Sequence, residues 1–137
     1  MNTHDTPLVL MADDDDDDCT LAKDAYRHSK APGALECVED GIQLMEFLFR
    51  SDSLPAVILL DLNMPRKDGR QALREIKGTP GLQAIPIVIL TTSREKEDMV
   101  YTSDMGADAF ITKPVAFSEW VAIMQTLAGR WLEGRKT

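Results

Sequence analysis

The chain has 137 residues, 44% hydrophobic and 28% charged, which is enough apolar content for one packed domain and too much for a disordered segment. Fifteen Lys and Arg oppose 23 Asp and Glu for a net charge of −8; six of the acids form one run, Asp13 to Asp18, and outside it 15 basic and 17 acidic residues remain, so the surplus is local. With no basic surplus to meet phosphates the composition argues against nucleic acid, and apolar runs such as Leu8 to Ala12 and Ala56 to Leu60 are too short to cross a bilayer.

The first five residues, Met1-Asn2-Thr3-His4-Asp5, have no basic start and open no long apolar stretch, so no signal peptide is expected. Two cysteines, Cys19 and Cys37, make neither a disulfide framework nor a zinc ligand set, and a cytoplasmic location with reduced thiols is expected. Leu8 to Ala12 is a short apolar run and predicts a buried strand. From roughly Asp18 to Lys30, Leu21, Ala22, Ala25 and Tyr26 recur at helical spacing, and Pro32-Gly33 ends the helix. Ala34 to Val38 alternates weakly, as an edge strand does. Gly41 to Arg50 reads as a helix with Ile42, Met45, Leu48 and Phe49 on its inner face. Ala56 to Leu60 is wholly apolar and predicts a central strand. Gly69 to Gly78 offers Ala72, Leu73 and Ile76 as a short helical face.

Ile85 to Leu90 predicts a fourth strand, with Pro86 tolerated at its start. Ser93 is the expected cap of a charged helix from Arg94 to about Asp104, with Met99, Val100 and Met105 on its apolar side and Gly106 at its end. Ala109 to Thr112 predicts a fifth strand. A last helix runs from Phe117 to about Trp131, with Ser118 as N-cap and Val121, Met124, Leu127, Ala128 and Trp131 facing inward. Five strands alternating with five helices predict right-handed crossovers and a parallel sheet covered on both faces, with ligands at the carboxyl ends of the strands.

Those ends carry Asp13-Asp14, Asp61 with Asn63, Thr91-Thr92-Ser93 and Lys113-Pro114. A parallel sheet brings them to one edge. Carboxylates gathered there repel and call for a hard divalent cation, for which Mg2+ with oxygen ligands is the natural choice. A carboxylate beside such a cation and a lysine is a plausible phosphoryl acceptor, because both cations neutralise charge on the incoming phosphoryl oxygens. Asp61, closing a fully apolar strand, is the best candidate.

Taken together, Asp13-Asp14, Leu60-Asp61-Leu62-Asn63-Met64-Pro65 with Asp68-Gly69, Leu90-Thr91-Thr92-Ser93, Gly106-Ala107-Asp108-Ala109-Phe110 and Lys113-Pro114 resemble the signature of response-regulator receiver domains, the CheY-like phosphoacceptor modules of two-component signalling. The resemblance covers nearly the whole chain, as one receiver domain over 1–137 with its core at about 8–132. It implies a flavodoxin-like, doubly wound five-stranded parallel sheet in the order 2-1-3-4-5 with five helices. It also implies roles. Asp61 accepts the phosphoryl group from a histidine kinase. Asp14, Asp61 and the Asn63 backbone carbonyl ligate Mg2+, with Asp13 acting through a metal-bound water. Lys113 pairs with Asp61 and then with the phosphoryl group, Thr91 turns its hydroxyl onto it, and Phe110 follows inward as the switch. Leu90 to Ser93, Lys113 to Phe117 and Gly129 to Leu132 are most similar to small regulators of bacterial phytochrome-type histidine kinases.

In such a stand-alone regulator the chemistry at aspartate is self-phosphorylation and dephosphorylation rather than turnover of a separate substrate. The chain closes soon after Leu132, so output is expected through protein contacts with a downstream partner that the sequence does not name. The alternative is a homodimer through the fourth and fifth helices, with Trp120 and Trp131 extending an apolar surface. Asp15-Asp16 departs from the family's commonest turn chemistry, and Asp15 to Asp18 have no metal role that the resemblance implies. Capping of the first helix is their default role, and extra acids could also admit Mn2+ or Ca2+. Two further readings compete. A Mg2+-dependent aspartyl-nucleophile phosphatase would want an acid two residues after its nucleophile, where this chain has Asn63. A receiver-like binding module that is never phosphorylated would be expected to lack Asp61 or Lys113, and both are present.

Overall fold

The computed structural model describes residues 7–132. The reading of Met1 to Asp5, and both extremes of the expected 1–137 domain, lie outside the described residues. The elements alternate from the start: β1 (Leu8–Ala12), α1 (Asp16–Ser29), β2 (Ala34–Val38), α2 (Gly41–Arg50), β3 (Val57–Leu60), α3 (Gly69–Lys77), β4 (Ile87–Thr91), α4 (Lys96–Asp104), β5 (Ala109–Thr112) and α5 (Phe117–Leu127), closed by a π-helical turn, Ala128–Leu132. The strands form one sheet in the order β2-β1-β3-β4-β5, and every neighbouring pair is parallel.

The three inner strands are apolar except for Thr91 at the end of β4, because apolar side chains are the ones most readily covered on both faces. Successive residues then feed two cores. Val9, Met11, Val57, Leu59, Val88 and Leu90 meet α1 and α5 through Ala22, Ala25, Tyr26, Trp120, Met124 and Leu127. Leu10, Ala12, Ile58, Leu60, Ile87 and Ile89 meet α2 and α3 through Leu44, Leu48, Ala72, Leu73 and Ile76. Each fully buried Leu or Ile contributes about 1.5–3 kcal/mol relative to exposure, so the inner strands carry much of the fold's stability.

Several expectations are corrected at this level. Helix α1 starts at Asp16, because the Asp15 carboxylate accepts the Asp17 and Asp18 N–H groups and so caps the helix earlier than its apolar spacing begins. In α2, Leu44 takes the inner face and Phe49 stands 61% exposed. Strand β4 starts two residues later than expected and ends one later, at Thr91, as Pro86 has no N–H to give to a ladder. Helix α4 starts at Lys96 after Glu95 rather than after Ser93, and it buries Asp98 and Thr102 while Met99 and Val100 face outward. Helix α5 is preceded by Ala116, whose N–H donates to the Glu119 carboxylate at 3.3 Å, so Ser118 is not its N-cap. Trp120 is fully buried and adds nothing to an outer apolar surface. Trp131 is half-buried, with the Arg130 guanidinium over its ring at 4.5 Å.

Candidate functional site

Asp13, Asp61 and Lys113 each directly follow a strand, while Thr91 is the last residue of β4 and Phe110 lies within β5. The Asp13 N–H donates to Val38 O at 3.0 Å, and the Asp61 N–H to Ala12 O at 3.0 Å, so the sheet's own hydrogen bonding fixes both backbones. Asp13 is buried, and its Oδ1 accepts the Asp15 N–H at 2.9 Å. Asp14, at the bend that follows, is exposed. Asp61 is also buried, and its Oδ1 accepts the Asn63 N–H at 3.2 Å, while Asn63 itself lies exposed at the rim. Gly69 lets the start of α3 close on this turn. Its N–H reaches Leu62 O at 3.0 Å, and a Cβ there would stand 2.1 Å from the Asp61 carbonyl oxygen.

Asp13, Asp14 and Asp61 each offer one carboxylate oxygen, and these oxygens lie within 4.8 Å of one another. Burial pushes the Asp13 carboxyl up to about 6, against hydrogen bonds from Lys113 and the Asp15 N–H that act the other way. A cluster of hard oxygen donors, one of them with its pKa raised by burial in spite of Lys113, fits a divalent cation.

Lys113 enters from β5. Its N–H donates to Thr91 O at 2.8 Å, which ties the ends of β4 and β5 together. Its Nζ lies 2.7 Å from Asp13 Oδ2, 2.7 Å from Asp18 Oδ2 and 3.2 Å from Asp61 Oδ2. Burial opposes the ammonium, but the Asp13 and Asp18 hydrogen bonds outweigh it, and Lys113 stays charged well above the ordinary lysine range. Asp18 was missed as a contributor to this pocket. A signal for it was present: Asp18 precedes Ala22 by four residues and Ala25 by seven, which places it on the inward stripe of α1.

Thr91 is fully buried, and its Oγ1 accepts the Ser93 N–H at 3.4 Å. Phe110 is half-buried against the α2–α3 core, opposite Ile89 in the sheet. A hollow of about 170 Å³ beside it is lined by Met99, Thr102, Ser103 and Ala107, among others. A second, polar hollow of about 560 Å³ next to the acidic cluster includes Asn63, Arg70, Ser93 and Asp98. In it Arg70 grips Asp98 with two hydrogen bonds, 2.9 and 2.8 Å, and the Ser93 hydroxyl donates to the same carboxylate at 2.7 Å.

The family model for the response regulator receiver domain matches residues 9–125. The chain belongs to the response regulator receiver family. This receiver is 33% identical to the response regulator Rcp1 of Synechocystis sp. over 131 residues, covering 92% of this chain and 89% of that one. Among solved structures, the phosphorylated cyanobacterial phytochrome response regulator RcpA superposes with a TM-score of 0.86 at 34% identity, covering 94% of this chain and 96% of that one. The Mn2+-bound form of Rcp1 superposes with a TM-score of 0.82 at 33% identity, over 93% and 95% of the two chains. The receiver is thus a CheY-like two-component module with a divalent-metal cluster at its strand ends, homologous over most of its length to phytochrome response regulators. No helix among its described residues is long and apolar enough to cross a membrane.

Proposed function

We propose that this chain acts as a single receiver domain in which Asp61 accepts a phosphoryl group from the histidine of a sensor kinase. The observation that carries the reading is convergence on one carboxylate: Lys113 Nζ lies 3.2 Å from Asp61 Oδ2, inside a cluster of three acids. The P–N bond of the phosphohistidine breaks as an Asp61 oxygen bonds to phosphorus. The departing imidazole nitrogen keeps the electron pair and takes up a proton, and the product is an acyl phosphate. Asp13, Asp14, Asp61 and the Asn63 carbonyl are the residues that would hold the cation, with Asp13 acting through water. Mg2+ is our choice, since the exposed Asp14 side leaves room for retained waters; Mn2+ and Ca2+ are the alternatives. When bound, such a cation neutralises charge developing on the phosphoryl oxygens.

Lys113 supplies the second positive charge, from the opposite wall. Thr91 is placed to turn its hydroxyl onto a phosphoryl oxygen, which requires it to give up the 3.4 Å contact with the Ser93 N–H. Phe110, two strand positions before Thr112, follows inward and reshapes the α4–β5 surface. The driving change is a phosphoryl charge of about −1.5 to −2 placed on the pocket. Similarity to phytochrome regulators supports a phytochrome-type kinase as donor. The chain then works in the cytoplasm, turns over no separate substrate and signals through protein contacts. Met99 and Val100, exposed on α4, are among the apolar residues available for a downstream protein or a homodimer, for which sedimentation with and without phosphorylation is the check.

The deciding experiment incubates the protein with acetyl phosphate and Mg2+ and follows intact mass. The wild type is expected to gain one phosphoryl group and Asp61→Asn none. An unmodified wild type, under conditions that modify a known receiver, would overturn the proposal.

A further inference from the structure

We propose that Asp18 is a positioning residue for phosphoryl transfer, holding the Lys113 ammonium on the α1 side of the pocket while Asp13 and Asp61 change partners. The inference rests on the reading of Asp61 as acceptor. Three carboxylates share Lys113, and they are not equivalent. Asp13 and Asp61 belong to the three-acid cluster that fits a cation, and Asp61 also loses its free carboxylate on phosphorylation. Asp18 stands outside that cluster, yet its Oδ2 is as close to Nζ as Asp13 is, at 2.7 Å. Its charge is the one that stays constant through the cycle.

The anchor is rigid at both ends. Asp18 lies in the first turn of α1, where the Asp15 carboxylate accepts its N–H at 3.2 Å. Lys113 is fixed by its own N–H to Thr91 O at 2.8 Å, and its side chain is only 8% exposed. The pair therefore joins the amino end of α1 to the end of β5 across 95 positions of sequence. A lysine with only changing partners would collapse onto whichever carboxylate was free. With Asp18 fixed, the ammonium keeps its place beside Asp61 and need not be repositioned when the phosphoryl group arrives. The remaining acids of the run lack this contact: Asp15 caps α1, and Asp16 and Asp17 are exposed in its first turn.

The test compares Asp18→Asn with Asp17→Asn, which makes the same charge change without the lysine contact. Two quantities are read: the nitrogen-detected NMR signal of the Lys113 ammonium in metal-free protein, and the rate of phosphorylation by phosphoramidate at saturating Mg2+. In Asp18→Asn the ammonium signal is expected to be lost to exchange and the rate to fall about ten-fold. Asp17→Asn should match the wild type in both. A wild-type rate in Asp18→Asn, a slowed rate with the ammonium signal intact, or an equal loss in Asp17→Asn would each overturn the proposal. A wild type that takes no phosphoryl group would instead overturn the acceptor reading, which the Lys113 signal does not depend on.

Discussion

Asp13 shows how one buried carboxyl links proton and metal. Burial raises its pKa from the ordinary 3.8 to about 6, although Lys113 and the Asp15 N–H pull it down. Between those values the folded protein binds more protons than the unfolded chain, so stability of the metal-free protein increases as pH falls from 6 toward 4. Cation binding has the opposite sign, since a cation must displace that proton. Calorimetric titration with Mg2+ should therefore give a nearly constant affinity from pH 8 to 7 and a decline below about pH 6 that approaches ten-fold per unit. Asp13→Asn should weaken Mg2+ at pH 7.5 and flatten that decline. An affinity still constant at pH 5 would show that Asp13 remains ionised without the metal. Lys113 contributes nothing to this window, because its neighbouring carboxylates keep it charged throughout.

At the scale of elements, α4 is the instructive case. The sheet was legible because β1, β3 and β4 are apolar on both faces, and a residue such as Ile58 has no other stable place. The acidic ends of β1 and β3 were legible for the same reason, since each directly follows such a run, and Lys113 was legible because it follows the short strand Ala109–Thr112. Helix α4 was misread because its inner face is polar. Asp98 and Thr102 are buried, and their burial is tolerated only because Arg70 and Ser93 satisfy one and the helix carbonyls the other. A hydrophobicity pattern has no access to a partner 28 residues away. Helical spacing placed Asp18 inward, but its partner, 95 residues on, was hidden likewise. Asp98→Asn should cost about 1–3 kcal/mol by urea unfolding at pH 6, as it leaves Arg70 half-paired. The wild-type carboxyl is held below 3.8 by Arg70, helped by Ser93 and opposed by burial. Its contribution is thus present above the ordinary carboxylate value of 3.8 and lost as pH falls below it, so the gap between wild type and Asp98→Asn should narrow as the solution is acidified. A gap independent of pH would mean that the pair is not what stabilises α4.

For the whole molecule, the net charge of −8 divides into −3 in the pocket, from Asp13, Asp14, Asp18 and Asp61 against Lys113, and −5 from the remaining 14 basic and 19 acidic residues. Asp13, Asp18 and Asp61 share one ammonium and Asp14 lies in the same acidic cluster, so folding without a cation gathers like charges that the unfolded chain keeps apart. A divalent ion that binds only the folded state must then stabilise the entire cooperative unit. At a hundred times its dissociation constant the gain is about 2.7 kcal/mol, which for a chain of this size is a rise in Tm of roughly 10 °C. Thermal unfolding in Mg2+, against the same protein in EDTA, should show that rise. Sodium chloride at equal ionic strength should give only a small part of it, since screening acts on exposed charges and two of the three clustered acids are buried. Asp61→Asn should have a higher Tm than the wild type in EDTA, because one repelling charge is gone, and a smaller response to Mg2+. Equal Tm values for the two proteins in EDTA would mean that Lys113 alone already balances the pocket, and that the acidic cluster carries no strain for a cation to relieve.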